Sequence, residues 1–153
     1  MLGWYAQFER PDSDSEGDRS LKEERTRRIA QCCCGACKVA VLGEPEMNLL
    51  CHCRNCQLRT GSAFGWSGYF RDAVFTQLSG SYGSYVPSGD GSQERRFCDR
   101  CGTTLFWRGA AFPGLVGIAG GCFSDPPLPE PSVAARNETR CTWLTLPGTW
   151  RTV

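Results

Sequence analysis

Cys98-Asp99-Arg100-Cys101-Gly102-Thr103 reads as one half of a tetrahedral metal site. Two thiols three positions apart close on one ion. The Gly after the second thiol takes the dihedral that turns backbone N–H groups toward sulfur. The matching half lies far upstream, at Cys32-Cys33-Cys34-Gly35. Alternate residues of an extended segment face the same way, so Cys32 and Cys34 converge while Cys33 points off. Cys34-x-x-Cys37 is a rival pairing, but Lys38 follows Cys37 where the other half-sites have Gly. Between the halves stands a third group, Cys51-His52-Cys53-Arg54-Asn55-Cys56. Seven of the eleven cysteines thus fall into groups of two, three and two. Four thiols close a structural site, whereas three leave a position open, and an open position can do chemistry. The pattern predicts two Zn²⁺ per chain.

Around these clusters the apolar residues come in short stretches broken by Gly, Pro, Asn and Asp. Strands are predicted at Lys38–Leu42, Met47–Leu50, Phe64–Phe70, Val74–Leu78, Gly83–Val86, Arg95–Phe97, Thr103–Trp107 and Leu115–Ala119. Residues 86–91 form a turn. No stretch holds the helical period for three turns. The expected fold is mainly β: a small zinc-stapled β domain over residues 29–153. Residues 1–28 are polar and charged, and read as a flexible N-terminal arm. Ser20 with Glu23 and Glu24 can cap a short helix through Arg28. Trp4, Tyr5 and Phe8 have no assigned partner. Residues 124–131 are an extended connector. Trp143, Leu144 and Leu146 are expected to cover an open edge of the core.

Charge and composition exclude several roles. The formal net charge of the 153-residue chain is +1. Seven thiolates and two Zn²⁺ shift it to −2, still near neutral, so a nucleic-acid partner is disfavoured. The local basic run of Arg19, Lys22, Arg25, Arg27 and Arg28 is interrupted by Glu23 and Glu24. No run is long and apolar enough for a bilayer, so no membrane partner is expected. A cysteine-rich chain without a secretory leader fits a reducing compartment, cytoplasmic or nuclear, with thiols serving metal or catalysis.

Together, Cys32-x-Cys34-Gly35, Cys51-His52-Cys53-x-x-Cys56 and Phe97-Cys98-x-x-Cys101-Gly102-Thr103 resemble the glutathione-dependent formaldehyde-activating enzyme family, which includes the centromere protein V-like proteins. Gly61-Ser62, Gly121-Cys122-Phe123-Ser124-Asp125-Pro126 and Trp143 extend the resemblance over about Ile29 to Trp143. It implies a Mss4-like zinc fold. By matching positions, Cys32, Cys34, Cys98 and Cys101 would hold a structural zinc. Cys51, Cys53 and Cys56 would hold the active-site zinc. The implied activity is carbon–sulfur lyase or synthase chemistry on a small thiol adduct, glutathione plus formaldehyde or a related carbonyl. The chain departs from the family at Ser124, where Asp is usual, and at Ala134-Ala135-Arg136, where a bulkier His-Ile-Phe-like run is common.

The residues themselves support both an enzyme and a bland alternative. Three thiolates on Zn²⁺ leave room for an exchangeable fourth sulfur, held as the nucleophilic thiolate. If Cys122 or His52 fills that position, the site is a staple, and the protein is a zinc-stapled binding or scaffold module. His52, the sole histidine, should point away from the metal in an extended segment. Arg54, Arg59 and Arg71 flank the triplet and can pair with a carboxylate of the thiol. Phe64, Trp66, Tyr69 and Phe70 read mainly as core, with Phe64 or Trp66 lining a pocket.

Overall fold

A computed structural model describes residues 26–87 and 93–153. The expected arm, its aromatic residues and most of the 86–91 turn lie outside the described residues. Twelve strands and one helix are seen among those described. They are β1 (Arg27–Gln31), β2 (Lys38–Leu42), β3 (Met47–Cys51), α1 (Arg54–Thr60), β4 (Gly65–Arg71), β5 (Phe75–Ser79) and β6 (Tyr82–Tyr85). There follow β7 (Gln93–Cys98), β8 (Thr104–Gly109), β9 (Leu115–Ala119), β10 (Phe123–Asp125), β11 (Val133–Ala135) and β12 (Arg151–Thr152). A four-stranded sheet has the order β10-β1-β2-β5, and a larger sheet has the order β12-β11-β3-β4-β9-β8-β7-β6. The fold is mainly β, as the strand-sized apolar runs require. No helix among the described residues is long and apolar enough to cross a membrane.

Strand alternation divides the large sheet into two working faces. On β4, Phe70 enters the core shared with the small sheet, while Tyr69 enters a second cluster. On β9, Val116 and Ile118 face the first core and Leu115 the second. Trp107 joins Tyr69 on the second face. Opposite β8, the register shifts between Arg96 and Phe97, so Leu105 stands opposite no residue of β7. Leu105 and Phe106 therefore both reach the first core despite being neighbours. The small sheet contributes Ala30, Val39 and Val41 to that core.

Several expectations need correction. Arg27 and Arg28 are strand, not the end of a helix, because β1 pairs with β2 along its whole length. Arg28 is buried and ion-paired with Glu44. The connector runs without regular structure over residues 127–132, and its Leu128 is 5% exposed and packs over Gly68, where an added Cβ would sit 2.7 Å from it. Trp143 is 73% exposed and covers no edge. The edge of β11 is closed instead by β12, which pairs with it in parallel.

Candidate metal centres

The two ends of the chain's cysteine pattern meet at one side of the first core. The Sγ atoms of Cys32, Cys34, Cys98 and Cys101 all lie within 4.8 Å of one another. Both half-sites are tight turns. Gly35 N–H donates to the Cys32 carbonyl at 2.9 Å, and Gly102 N–H to the Cys98 carbonyl at 2.9 Å. Gly35 and Gly102 have φ of 74° and 73°, the left-handed region that a side chain disfavours. The halves are also bound to each other, since Cys33 N–H donates to Thr103 Oγ1 at 3.3 Å. Cys37 stays out of the cluster: its thiol donates to the Ser81 carbonyl at 3.2 Å. Its N–H instead donates to Cys32 Sγ at 3.2 Å.

The thiols of this cluster are polarised in different directions. Burial opposes ionisation of Cys32, but the Cys37 N–H and the neighbouring thiols lower its pKa overall. The Thr103 hydroxyl and backbone bring Cys101 down to about 5. The Ala36 N–H favours the Cys34 thiolate, yet the adjacent sulfurs outweigh it and push Cys34 up to about 12. Such a set holds some thiolate before any ion arrives.

Cys51, Cys53 and Cys56 form a second cluster, with Sγ atoms also within 4.8 Å of one another. Cys51 ends β3 and faces the second side of the large sheet, beside Met47 and Tyr69. Cys53 is the N-cap of α1, in extended conformation, and its sulfur accepts from Cys56 N–H at 3.4 Å. Gly61, in the left-handed region, ends the helix after two turns. This is why the 3.6-residue period was too short to read. The loop is anchored through His52: its N–H donates to the Ala135 carbonyl at 2.9 Å. Its carbonyl accepts from Gln57 Nε2 and from Thr139 Oγ1, each at 2.9 Å.

Within the triplet, Cys51 and then Cys56 donate toward Cys53 and hold its thiol down at about 2. Donation to Cys53, contact with Cys56 and burial push Cys51 far up. Cys51 favours the Cys56 thiolate, but Cys53 and burial raise Cys56 overall. Among the described residues, no histidine, carboxylate or further cysteine completes this group to four. His52 has no exposed surface and packs edge-on against Phe64, with ring centroids 6.1 Å apart. Burial lowers its pKa against an opposing interaction with the Ala63 backbone. Burial pushes Cys122 up to about 11 against the Arg59 charge, and Cys122 belongs to neither cluster. Two cysteine clusters able to coordinate a metal are therefore present.

The surroundings of the triplet were only partly foreseen. Of the three flanking arginines, Arg71 pairs with Glu46 at 2.8 Å and Arg54 is exposed. Arg59 turns inward and lies over the Trp107 ring, 4.3 Å from its centroid. Trp107 Nε1 donates to the Tyr69 hydroxyl at 3.3 Å. Burial, helped by the Cys56 and Cys51 sulfurs and opposed by the Trp107 hydrogen bond, pushes Tyr69 up to about 12. A cavity of about 80 Å³ lies between Tyr69, Trp107 and Asn55. Trp66 donates to Asn48 Oδ1 at 2.7 Å and lies against Gly120, away from that cavity. Tyr69, Trp107 and Arg95 were not singled out as site residues. Their only sequence signal was aromatic or basic character on strands whose pairing was unknown.

Comparison with known proteins gives one family. The family model described as "Glutathione-dependent formaldehyde-activating enzyme" matches residues 27–140. No curated protein matches the chain. Among solved structures, the crystal structure of a Rhodobacter sphaeroides protein is similar at 20% identity and a TM-score of 0.49. The match covers 61% of this chain and 85% of that one.

Proposed function

Because the chain belongs to the glutathione-dependent formaldehyde-activating enzyme family, we propose that it is a zinc-dependent carbon–sulfur lyase or synthase acting on a small thiol adduct. The observation that carries this reading is the missing fourth protein donor at Cys51, Cys53 and Cys56 among the described residues. The donor sets fit the metal: all-sulfur groups of four and three suit a soft tetrahedral ion, and zinc above the harder divalent cations. Cys32, Cys34, Cys98 and Cys101 would hold the structural ion, and Cys51, Cys53 and Cys56 would hold the reactive one. When bound to the triplet, zinc supplies one further position at which an incoming thiol is stabilised as its thiolate.

The chain's own residues do the rest. The Gln57 and Thr139 bonds to the His52 carbonyl fix the loop that presents the three sulfurs. The small cavity has volume for a molecule of a few heavy atoms, such as formaldehyde. In the forward direction the substrate thiol gives up its proton, its sulfur bonds to the carbonyl carbon as the C=O π bond opens, and the oxygen takes up one proton, so thiol and aldehyde join with nothing released. Tyr69 is suited to orient that oxygen. Its pKa stays high, and its bond with Trp107 uses the hydroxyl oxygen as acceptor, leaving the O–H as donor. The lyase direction reverses the same steps. His52 is a packing residue in this account, since its buried ring lies against Phe64.

The test is exchange between S-hydroxymethylglutathione and its free components, read by NMR exchange spectroscopy. Wild type is expected to accelerate exchange, and Cys53→Ser to leave it at the uncatalysed rate. Equal rates with the two proteins would remove the formaldehyde reading.

A further inference from the structure

Helix α1 carries Cys56 and, one turn later, Arg59. Residues at that spacing share a helix face, with Cβ atoms about 5–6 Å apart. The Arg59 guanidinium lies over the buried Trp107 ring, 4.3 Å from its centroid. A cation seated on a ring uses the flat face of the guanidinium, and the N–H groups in its plane stay available to donate. One terminal nitrogen, Nη2, is buried and has no hydrogen-bond partner among the described residues. Gly65 marks where that nitrogen lies. It is buried and stands opposite Cys51 in the β3–β4 register. A Cβ there would lie 2.5 Å from Arg59 Nη2 and 3.2 Å from Cys56 Cβ. The bare backbone of Gly65 therefore admits the guanidinium beside the triplet, where any side chain would displace it.

The charge of Arg59 has work to do in that place. Among the described residues its ionic partner is no carboxylate: Arg28, Arg71, Arg96, Arg108 and Arg136 take those pairs. Arg59 and the Cys56 sulfur attract each other instead. Arg95 also attracts Cys56 and Cys53, but its Nε already donates to Gln93 Oε1 at 2.9 Å. Three thiolates around one divalent ion leave a negative centre, and a further thiolate makes it more negative. Withdrawn from water, such a centre is unfavourable unless a cation and N–H donors offset it.

We propose that Arg59 is a positioning residue of the triplet: admitted by Gly65 and held on Trp107, its guanidinium offsets the negative charge of the metal-bound thiolates. The assignment rests on the reading of the triplet as a metal centre. It does not require that an outside thiol enters.

The probe is cadmium, which binds thiolates as zinc does and gives one NMR signal per cluster. Each signal is followed in the full chain as a chelator is added. Arg59→Gln is expected to give up the triplet metal at about tenfold lower chelator or less, the range seen when a partner of a ligand is removed. The four-cysteine signal should not move. Arg59→Lys keeps the charge and should recover part of the loss. Unchanged retention in Arg59→Gln overturns the assignment, and so does an equal loss in both variants, which would make Arg59 a packing residue only. In the unmodified chain the Arg59 Nε–H signal should shift as the triplet signal grows. A signal that stays still overturns the assignment even if the variants fail to fold, and a triplet that takes no cadmium removes it together with the metal centre. If the losses are as expected while glutathione leaves the zinc X-ray absorption edge unchanged, the role of Arg59 stands and the thiol-coordination reading falls.

Discussion

A Cβ at residue 117 would lie 2.2 Å from Trp107 Nε1. Gly117 thus lets the indole lie flat on β9, where it carries Arg59 on its ring and reaches Tyr69. Gly117→Ala is expected to destabilise the fold by about 1–3 kcal/mol through overpacking. Urea unfolding monitored by tryptophan fluorescence checks this, and an unchanged midpoint would show that Trp107 relaxes freely. The triplet makes a second prediction at this scale. Cys51 and Cys56 are shifted upward, so both hold protons near neutral pH when no metal is present. Metal uptake must expel those protons, so affinity rises as pH rises. Competition with a chelator of known proton affinity should show weaker retention at about pH 6 than at about pH 8. Equal retention would mean that the triplet does not ligate as thiolates.

At the scale of elements, helix α1 matters for what it fixes. Gln57 and Thr139 touch the His52 carbonyl rather than any sulfur, so they position the loop without ligating. The double variant Gln57→Ala with Thr139→Val is expected to weaken metal at the triplet by about 10–100-fold. Metal at the four-cysteine cluster should be unaffected. Parallel loss at both clusters would mean general unfolding instead. This helix was not legible in the sequence, because two turns leave too few positions for a period to show. The strands from Lys38–Leu42 to Leu115–Ala119 were legible because most are short runs of apolar, β-branched or aromatic residues bounded by turn residues. The short strands β10, β11 and β12 were not: two or three residues long, they exist through pairing with partners distant in sequence. Arg27 and Arg28 looked like arm because they are charged, yet pairing with β2 and the Glu44 carboxylate place them in the sheet.

For the whole molecule, the two clusters are expected to do different work. Cys34 and Cys98 are 64 positions apart in the chain, so a metal between them joins distant parts of it. A structural zinc contributes on the order of 10 kcal/mol to folding in small domains. Cys98→Ser should therefore abolish cooperative thermal unfolding, and Cys56→Ser should preserve it. Similar loss in both would contradict this division. The division into an arm of residues 1–28 and a domain of 29–153 remains a proposal, with the first strand at Arg27 marking where the sheet begins. Removing residues 1–25 should leave the melting temperature and metal content nearly unchanged. A large fall would place Trp4, Tyr5 or Phe8 in the core. The cysteine groupings were legible because metal geometry restricts spacing. The seat of Arg59 over Trp107 was not, since only the packing of α1 on the large sheet brings them together.

The central claim is that the triplet keeps a place for an outside sulfur. The most direct measurement is metal content combined with zinc X-ray absorption, before and after glutathione at millimolar concentration. Seven protein sulfurs shared by two zinc ions average three and a half per ion. Two zinc ions per chain and a rise of that average to four sulfurs are predicted, with no rise in Cys53→Ser. One zinc ion per chain, or a wild-type sulfur count that glutathione does not change, would contradict the account.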